Sequence, residues 1–280
     1  SLIRDGKDIR VNDWVQVYRA GDVIPKIADV DLTKRSADSE PYVFPDVCPE
    51  CGTSADREEG DAVRRCTGGI TCPAQGVERL KHFVSRKAFD IEGIGAKQIE
   101  MFFVDEHLPI REPADIFTLA ERDRANLSSF ESRDGYGEKS VAKIYAAIEE
   151  RRSISFAKLL FSLGIRHLGE VGAKLISSHY GNWQDFISAI DNASDRQSAD
   201  WEELLAIDGV GKVMAESLVS AFSSAPERAA IDRLVFHLNI EDSEMQKPNN
   251  SPINGKTIVF TGTLEQMSRV EAKARAEVLG

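Results

Sequence analysis

The chain has 280 residues and a mass of 31.0 kDa, which suggests two or more domains. Hydrophobic residues are 42% and charged residues 29%, a soluble, globular composition, and no apolar run approaches the ~18 residues of a membrane span. Net charge is −11, from 35 Lys+Arg against 46 Asp+Glu, and no segment is a basic arm, so any nucleic acid must be gripped by geometry rather than bulk charge.

The first residues, Ser1 to Gly6, hold no secretory apolar stretch and no initiator Met, which reads as a fragment or a processed product. Trp14-Val15-Gln16-Val17-Tyr18-Arg19 alternates as a strand does, after a turn at Asn12-Asp13. Ala20-Gly21-Asp22 breaks the run and Val23-Ile24-Pro25-Lys26-Ile27 resumes it. Such a bend suits a small β-barrel of the OB type, with too few strands here to complete one.

All four cysteines follow within 25 positions: Cys48, Cys51, Cys66 and Cys72, spaced C-x2-C-x14-C-x5-C. Cys48-Pro49-Glu50-Cys51-Gly52 is a knuckle that turns two thiolates toward one ion, and the Gly-rich Thr67–Thr71 stretch lets the second pair fold back. Four thiolates close a tetrahedral zinc shell and leave no place for a reacting water, so the spacing predicts one structural zinc. Two disulfides are the alternative, and the absent secretory stretch argues against them. None of the five histidines is needed to complete the shell.

Beyond the cysteines the pattern is helical and contains a four-fold repeat. Its core is Gly-apolar-Gly: Gly93-Ile94-Gly95, Gly135-Tyr136-Gly137, His167-Leu168-Gly169 and Gly209-Val210-Gly211. Such a hairpin exposes amide N–H groups at the start of the next helix, where the dipole also favours an anion. The middle residue plugs the core. Four copies therefore predict helix-hairpin-helix units that hold phosphates without reading bases, two copies pairing about a pseudo-two-fold to touch both strands of a duplex. Two copies depart from the pattern. His167 replaces the first glycine of the third, and Arg133 replaces the Ile that stands four residues before the last glycine in the others. Lys97, Lys139, Lys174 and Lys212 follow the hairpins closely; the first, second and fourth add charge to the grip or simply solvate a helix face.

Residues 241–252 are polar and end in Pro248-Asn249-Asn250-Ser251-Pro252, a linker. Gly255-Lys256-Thr257-Ile258-Val259-Phe260-Thr261-Gly262-Thr263-Leu264 then reads as a strand and Gly turn, followed by a helix with Met267, Val270, Ala274 and Val278 on one face. Lys256-Thr257 lacks the frame of a P-loop.

Taken in order, these features resemble the C-terminal part of a bacterial NAD-dependent DNA ligase across nearly the whole chain. Arg19-Ala20-Gly21-Asp22-Val23-Ile24-Pro25 resembles the family's OB signature, the cysteine spacing its zinc finger, and residues 255–264 the opening of its BRCT domain. The resemblance implies a multi-domain, mainly α chain: 1–44 the end of an OB-fold, 45–75 the zinc finger, 76–240 the helix-hairpin-helix domain, 241–253 a linker and 254–280 a truncated α/β BRCT start. It implies that the parent enzyme passes AMP from NAD, through an active-site lysine, to the 5′-phosphate of a nick, which the 3′-hydroxyl then attacks. That nucleophile belongs to a K-x-D-G motif, which this chain lacks; Arg4-Asp5-Gly6 and Arg133-Asp134-Gly135 keep only its tail. No ligation, NAD binding or magnesium chemistry is therefore expected from these residues alone.

What the resemblance leaves here is a grip on nicked duplex. Arg19 would contact backbone, Val23 and Ile24 would lie at the minor-groove side, and Gly93, Gly95, Gly135, Gly137, Gly169, Gly209 and Gly211 would hold phosphates. Thr261 and Gly262 would belong to a BRCT phosphate pocket. The expected setting is a monomer in the bacterial cytoplasm, associated with the nucleoid, and acting in DNA replication and repair. Two readings compete: a stand-alone scaffold built from the same modules, and a repair nuclease subunit, for which acidic pairs such as Glu149-Glu150 and Glu202-Glu203 look instead like solvated helix faces.

Overall fold

A computed structural model describes residues 6–21, 24–57, 63–126 and 129–244, with Ile258, Val259 and Ala272. Val23, Lys256, Thr261, Gly262 and the expected BRCT strand and helix lie outside these, apart from the three isolated residues. The chain divides into two compact units, 1–68 and 69–280.

In the first unit, β1 (Val15–Ala20) and β2 (Ile24–Val30) pair antiparallel, with Val15 opposite Val30 and Ala20 opposite Ile24. The register slips once, between Gln16 and Val17. Gly21, which follows β1, has φ 61°. Two strands alone are marginal in water, and among the ribbon side chains described only Val30 is buried. A charged clamp ties the preceding segment to the one that follows. Arg35 forks onto Asp13 at 2.7 and 2.9 Å and reaches Asp8 at 2.6 Å, while Lys7 meets Asp29 at 2.6 Å. The Arg35 guanidinium holds the Asp13 carboxyl below the usual carboxylate range. Further on, β3 (Ala55–Asp56) and β4 (Arg65–Cys66) form a short antiparallel pair.

The second unit is helical. Its helices are α1 (Pro73–Phe83), α2 (Ala96–Phe103), α3 (Pro113–Phe117), α4 (Leu119–Arg124), α5 (Glu138–Glu150), α6 (Phe156–Ser162), α7 (Glu170–Tyr180), α8 (Trp183–Asn192), α9 (Ala199–Ala206), α10 (Lys212–Ser223) and α11 (Ala225–Val235). The apolar stripe of each faces one continuous core. Phe83 and Phe89 stack at 4.1 Å, and Phe156, Phe186 and Phe222 meet in tilted and edge-on contacts. Burial of one such ring is worth roughly 1.5–3 kcal/mol. Short strands β5 (Ser153–Ser155) and β6 (Asn239–Glu241) pair in parallel and so tie together the two ends of the α6–α11 segment.

Candidate functional site

The four hairpins share one backbone. In each, the middle apolar residue donates its N–H to the carbonyl three residues earlier: Ile94 to Ile91 (3.1 Å), Tyr136 to Arg133 (3.0 Å), Leu168 to Ile165 (3.1 Å) and Val210 to Ile207 (2.9 Å). The third residue of each turn has positive φ: Gly93 86°, Gly135 82°, His167 64° and Gly209 84°. The second residues, Glu92, Asp134, Arg166 and Asp208, do not. That combination is a type II turn, which favours glycine at its third position. His167 therefore adopts the same turn as its three glycine counterparts, in a left-handed conformation that costs an L-residue about 1–2 kcal/mol.

The second glycines have a different role. Gly95, Gly137, Gly169 and Gly211 are the N-caps of α2, α5, α7 and α10, with φ between −79° and −155°, open to any residue. All four are exposed. A Cβ would meet nothing within 4 Å at Gly137, Gly169 or Gly211, and only the Gln98 Oε1 at 3.4 Å at Gly95. Neither conformation nor internal packing calls for glycine there. The bare Cα and the N–H groups of the following helix start leave room for an anion to approach closely.

The first glycines explain how the hairpins pair. A Cβ on Gly93 would lie 2.6 Å from Cγ1 of Ile144, on α5, the helix that follows the second hairpin. A Cβ on Gly209 would lie 2.8 Å from Cδ1 of Leu175, on α7, the helix that follows the third. The hairpins are thus packed first with second and third with fourth. The plugs Ile94, Leu168 and Val210 are buried; Tyr136 is half-buried and lies 4.4 Å from the Phe130 ring.

Arg133, the departure in the second hairpin, works as part of the core. Its guanidinium lies 5.5 Å from the Phe102 ring centre and 5.8 Å from that of Phe130, and it pairs with Asp105. Burial works against the Asp105 charge, but Arg133 and the N–H groups of Leu108 (2.7 Å) and His107 (2.9 Å) outweigh it and hold the carboxyl below its ordinary range. Two contacts were missed in the sequence although their signal was present. Gln98 accepts the Gly95 N–H at 3.1 Å and Ser140 that of Gly137 at 2.9 Å, each three residues after its cap, the spacing of a capping box.

The second cluster is the cysteines. One ligand sulfur each from Cys48, Cys51, Cys66 and Cys72 lies within 4.8 Å of the others, and none forms a disulfide. Tetrahedral zinc with ~2.3 Å bonds needs sulfurs about 3.8 Å apart, so the set fits one zinc ion. Gly52, at φ 73°, closes the knuckle through its N–H to the Cys48 carbonyl (2.9 Å). The Thr53 hydroxyl and the Gly68 N–H pull the Cys66 thiol down to about 6. Cys48 accepts from the N–H groups of Cys51 and Glu50, yet burial and the sulfurs of Cys66 and Cys51 push it up to about 11. Crowded thiols that resist ionising together are stabilised as thiolates by a dication.

Of the ribbon residues singled out, Arg19 and Ile24 lie exposed at the reversal of β1 and β2, Ile24 at 61%. Among the described residues no helix is long and apolar enough to cross a membrane.

Comparison with known proteins bears on both clusters. Residues 47–74 match the NAD-dependent DNA ligase C4 zinc finger domain, and residues 158–231 match a helix-hairpin-helix motif. A DNA ligase of Cereibacter sphaeroides (strain ATCC 17025 / ATH 2.4.3) is 60% identical over 278 residues, covering 99% of this chain and 39% of that protein. One from Roseobacter denitrificans is 59% identical over 279 residues, covering 100% and 39%. One from Ruegeria pomeroyi is 51% identical over 321 residues, covering 99% and 43%. The chain spans about two fifths of the length of these relatives.

Proposed function

We propose that this chain is a C-terminal part of a bacterial NAD-dependent DNA ligase and that its role there is to hold nicked duplex DNA while the parent enzyme seals it. The observation that carries this reading is the set of four exposed hairpin turns of the same type, each ending in a bare glycine at a helix start. Paired hairpins would place two such tips on the two backbones of one duplex. Phosphate would be taken by backbone N–H groups, which explains how a chain of net charge −11 binds a polyanion. Zinc, held by the four cysteines, would supply folding energy to residues 47–74 and no chemistry.

On the same reading the ribbon of β1 and β2, with Arg19 and Ile24 at its reversal, is the end of an OB-fold (1–44), followed by the zinc finger (45–75), the hairpin domain (76–240), a linker (241–253) and a BRCT start (254–280). Val17 and Ile24, more than half exposed on an unaccompanied ribbon, suit strands of a larger barrel. The transfer of AMP from NAD, with magnesium, to the 5′-phosphate and the attack of the 3′-hydroxyl would belong to residues of the parent enzyme. This chain has no K-x-D-G and would not ligate alone. Its setting would be a cytoplasmic monomer on the nucleoid, in replication and repair.

Titration of the zinc-loaded chain against nicked and intact duplex tests the grip, with a Gly95→Asp/Gly211→Asp variant alongside. Aspartate is a good N-cap, so the variant should fold at least as well while its carboxylates repel phosphate. Wild type should bind and the folded variant should not. Equal binding by both would overturn the proposal, and tighter wild-type binding to nicked than to intact duplex would support the nick as its target.

A further inference from the structure

The two hairpin pairs differ in a way that their shared backbone conceals. In the first and second hairpins the N-cap amide is occupied by the protein's own side chains, Gln98 on Gly95 (3.1 Å) and Ser140 on Gly137 (2.9 Å). In the third and fourth the corresponding residues are Gly172 and Met214, which offer no such cap. They pack on each other instead: a Cβ on Gly172 would lie 2.8 Å from the Met214 sulfur.

One position earlier the contrast is repeated. The second residue after each terminal glycine is Lys97, Lys139, Val171 and Val213. Both lysines are exposed and neither forms an ion pair among the described residues. Both valines are exposed as well, at 74% and 57%, although the other apolar residues of α7 and α10 are turned into the core. Lys212, the nearest cation in the fourth hairpin, is drawn off to Glu216 at 3.7 Å. Two exposed valines at equivalent places in a packed pair of hairpins add little to the core. Beside an anion cradle they suit a ligand whose edge alternates charged and apolar groups. A DNA strand has that edge: phosphate, then deoxyribose.

Resting on the DNA-holding role proposed above, we infer that the hairpins divide the work: Lys97 and Lys139 bind phosphate ionically, while Val171 and Val213 lie against deoxyribose beside phosphates held by open amides. The first pair then sets the salt dependence of binding, and the second pair contributes affinity that salt does not screen.

The test is duplex affinity across a salt series for three variants. Lys97→Ala/Lys139→Ala should flatten the log–log salt slope by about 1.8, since each phosphate contact contributes about 0.9. Val171→Thr/Val213→Thr keeps the side-chain shape, should weaken binding roughly tenfold at every salt concentration, and should leave the slope unchanged. Gly95→Asp/Gly211→Asp is the control for the underlying role. If the control binds like wild type, the hairpins are not the DNA surface. If the control loses binding but the valine variant binds like wild type, or the lysine variant keeps the full slope, the division of work is wrong while the DNA-holding role stands. Far-UV circular dichroism of each exposed-site variant confirms that folding is intact.

Discussion

The two glycines of one hairpin should respond oppositely to the same added methyl group. Gly209 has φ 84°, and a Cβ there would lie 2.8 Å from Cδ1 of Leu175. The left-handed backbone costs about 1–2 kcal/mol. The clash involves the far end of a leucine, which can rotate aside, so overpacking adds roughly 1 kcal/mol. Gly209→Ala should therefore lose about 2–3 kcal/mol, a fall in melting temperature of roughly 4–12 °C for a unit of this size. Two residues on, Gly211 has φ −79° and open space around its Cβ position. There the reduced freedom of the unfolded chain and the poorer N-cap offset each other to within about 1 kcal/mol. Gly211→Ala should keep its melting temperature and, on the proposed function, lose DNA affinity, because its methyl would occupy the proposed phosphate approach. Among the first glycines the losses should rank Gly93, Gly209, Gly135. Gly93 would strike Cγ1 of a β-branched isoleucine at 2.6 Å, which cannot swing away, whereas Gly135 meets nothing and bears only the backbone cost. Thermal unfolding followed by circular dichroism, with DNA titration of the same samples, reads both effects. Equal destabilisation at 209 and 211, or Gly135→Ala as damaging as Gly93→Ala, would refute the assignment of packing to the first glycine and ligand approach to the second.

Zinc binding near pH 7 should release protons, because Cys48 is held up to about 11 before metal arrives. The number released should fall as pH is raised toward that value, and zinc uptake without any change in a weakly buffered indicator would contradict the crowded-thiol picture. Chelation should abolish the structure of residues 47–74, visible as loss of their protection from proteolysis, while the α7–α10 core survives. Asp105→Asn should cost about 2 kcal/mol by weakening a charge-assisted hydrogen bond to Arg133. Because the folded Asp105 carboxyl titrates below its unfolded value near ~4, its contribution is complete above that pH and is lost as pH falls through the lower, folded value. Denaturant midpoints of wild type and variant should therefore converge on acidification, and a constant gap would count against this ion pair.

Much of the molecule was legible in the residues themselves. Four cysteines with no other use in a short span announce a metal, since thiolate chemistry limits what such a cluster can be. The Gly-apolar-Gly repeat announces its turn, since glycine is the residue that most readily takes positive φ, and the capping glycines lie at the helix starts as the repeat implies. Gln98 and Ser140 were legible too, as residues three beyond a cap. The pairing of hairpins was not. It depends on Ile144 meeting Gly93 and Leu175 meeting Gly209, contacts that join residues 51 and 34 positions apart and leave no local pattern.

Arg133 shows the same limit. In sequence it is a polar residue that spoils an apolar position; in the fold Phe102, Phe130 and Asp105 surround it and make it part of the core. His167 is a departure in sequence, yet it takes the same left-handed turn as the glycines of the other three hairpins. Local chemistry determined what each motif is, because glycine conformation and thiolate coordination act over a few residues. Packing decided which motifs face one another and which amides stay open, because those depend on side chains brought together only when the core closes.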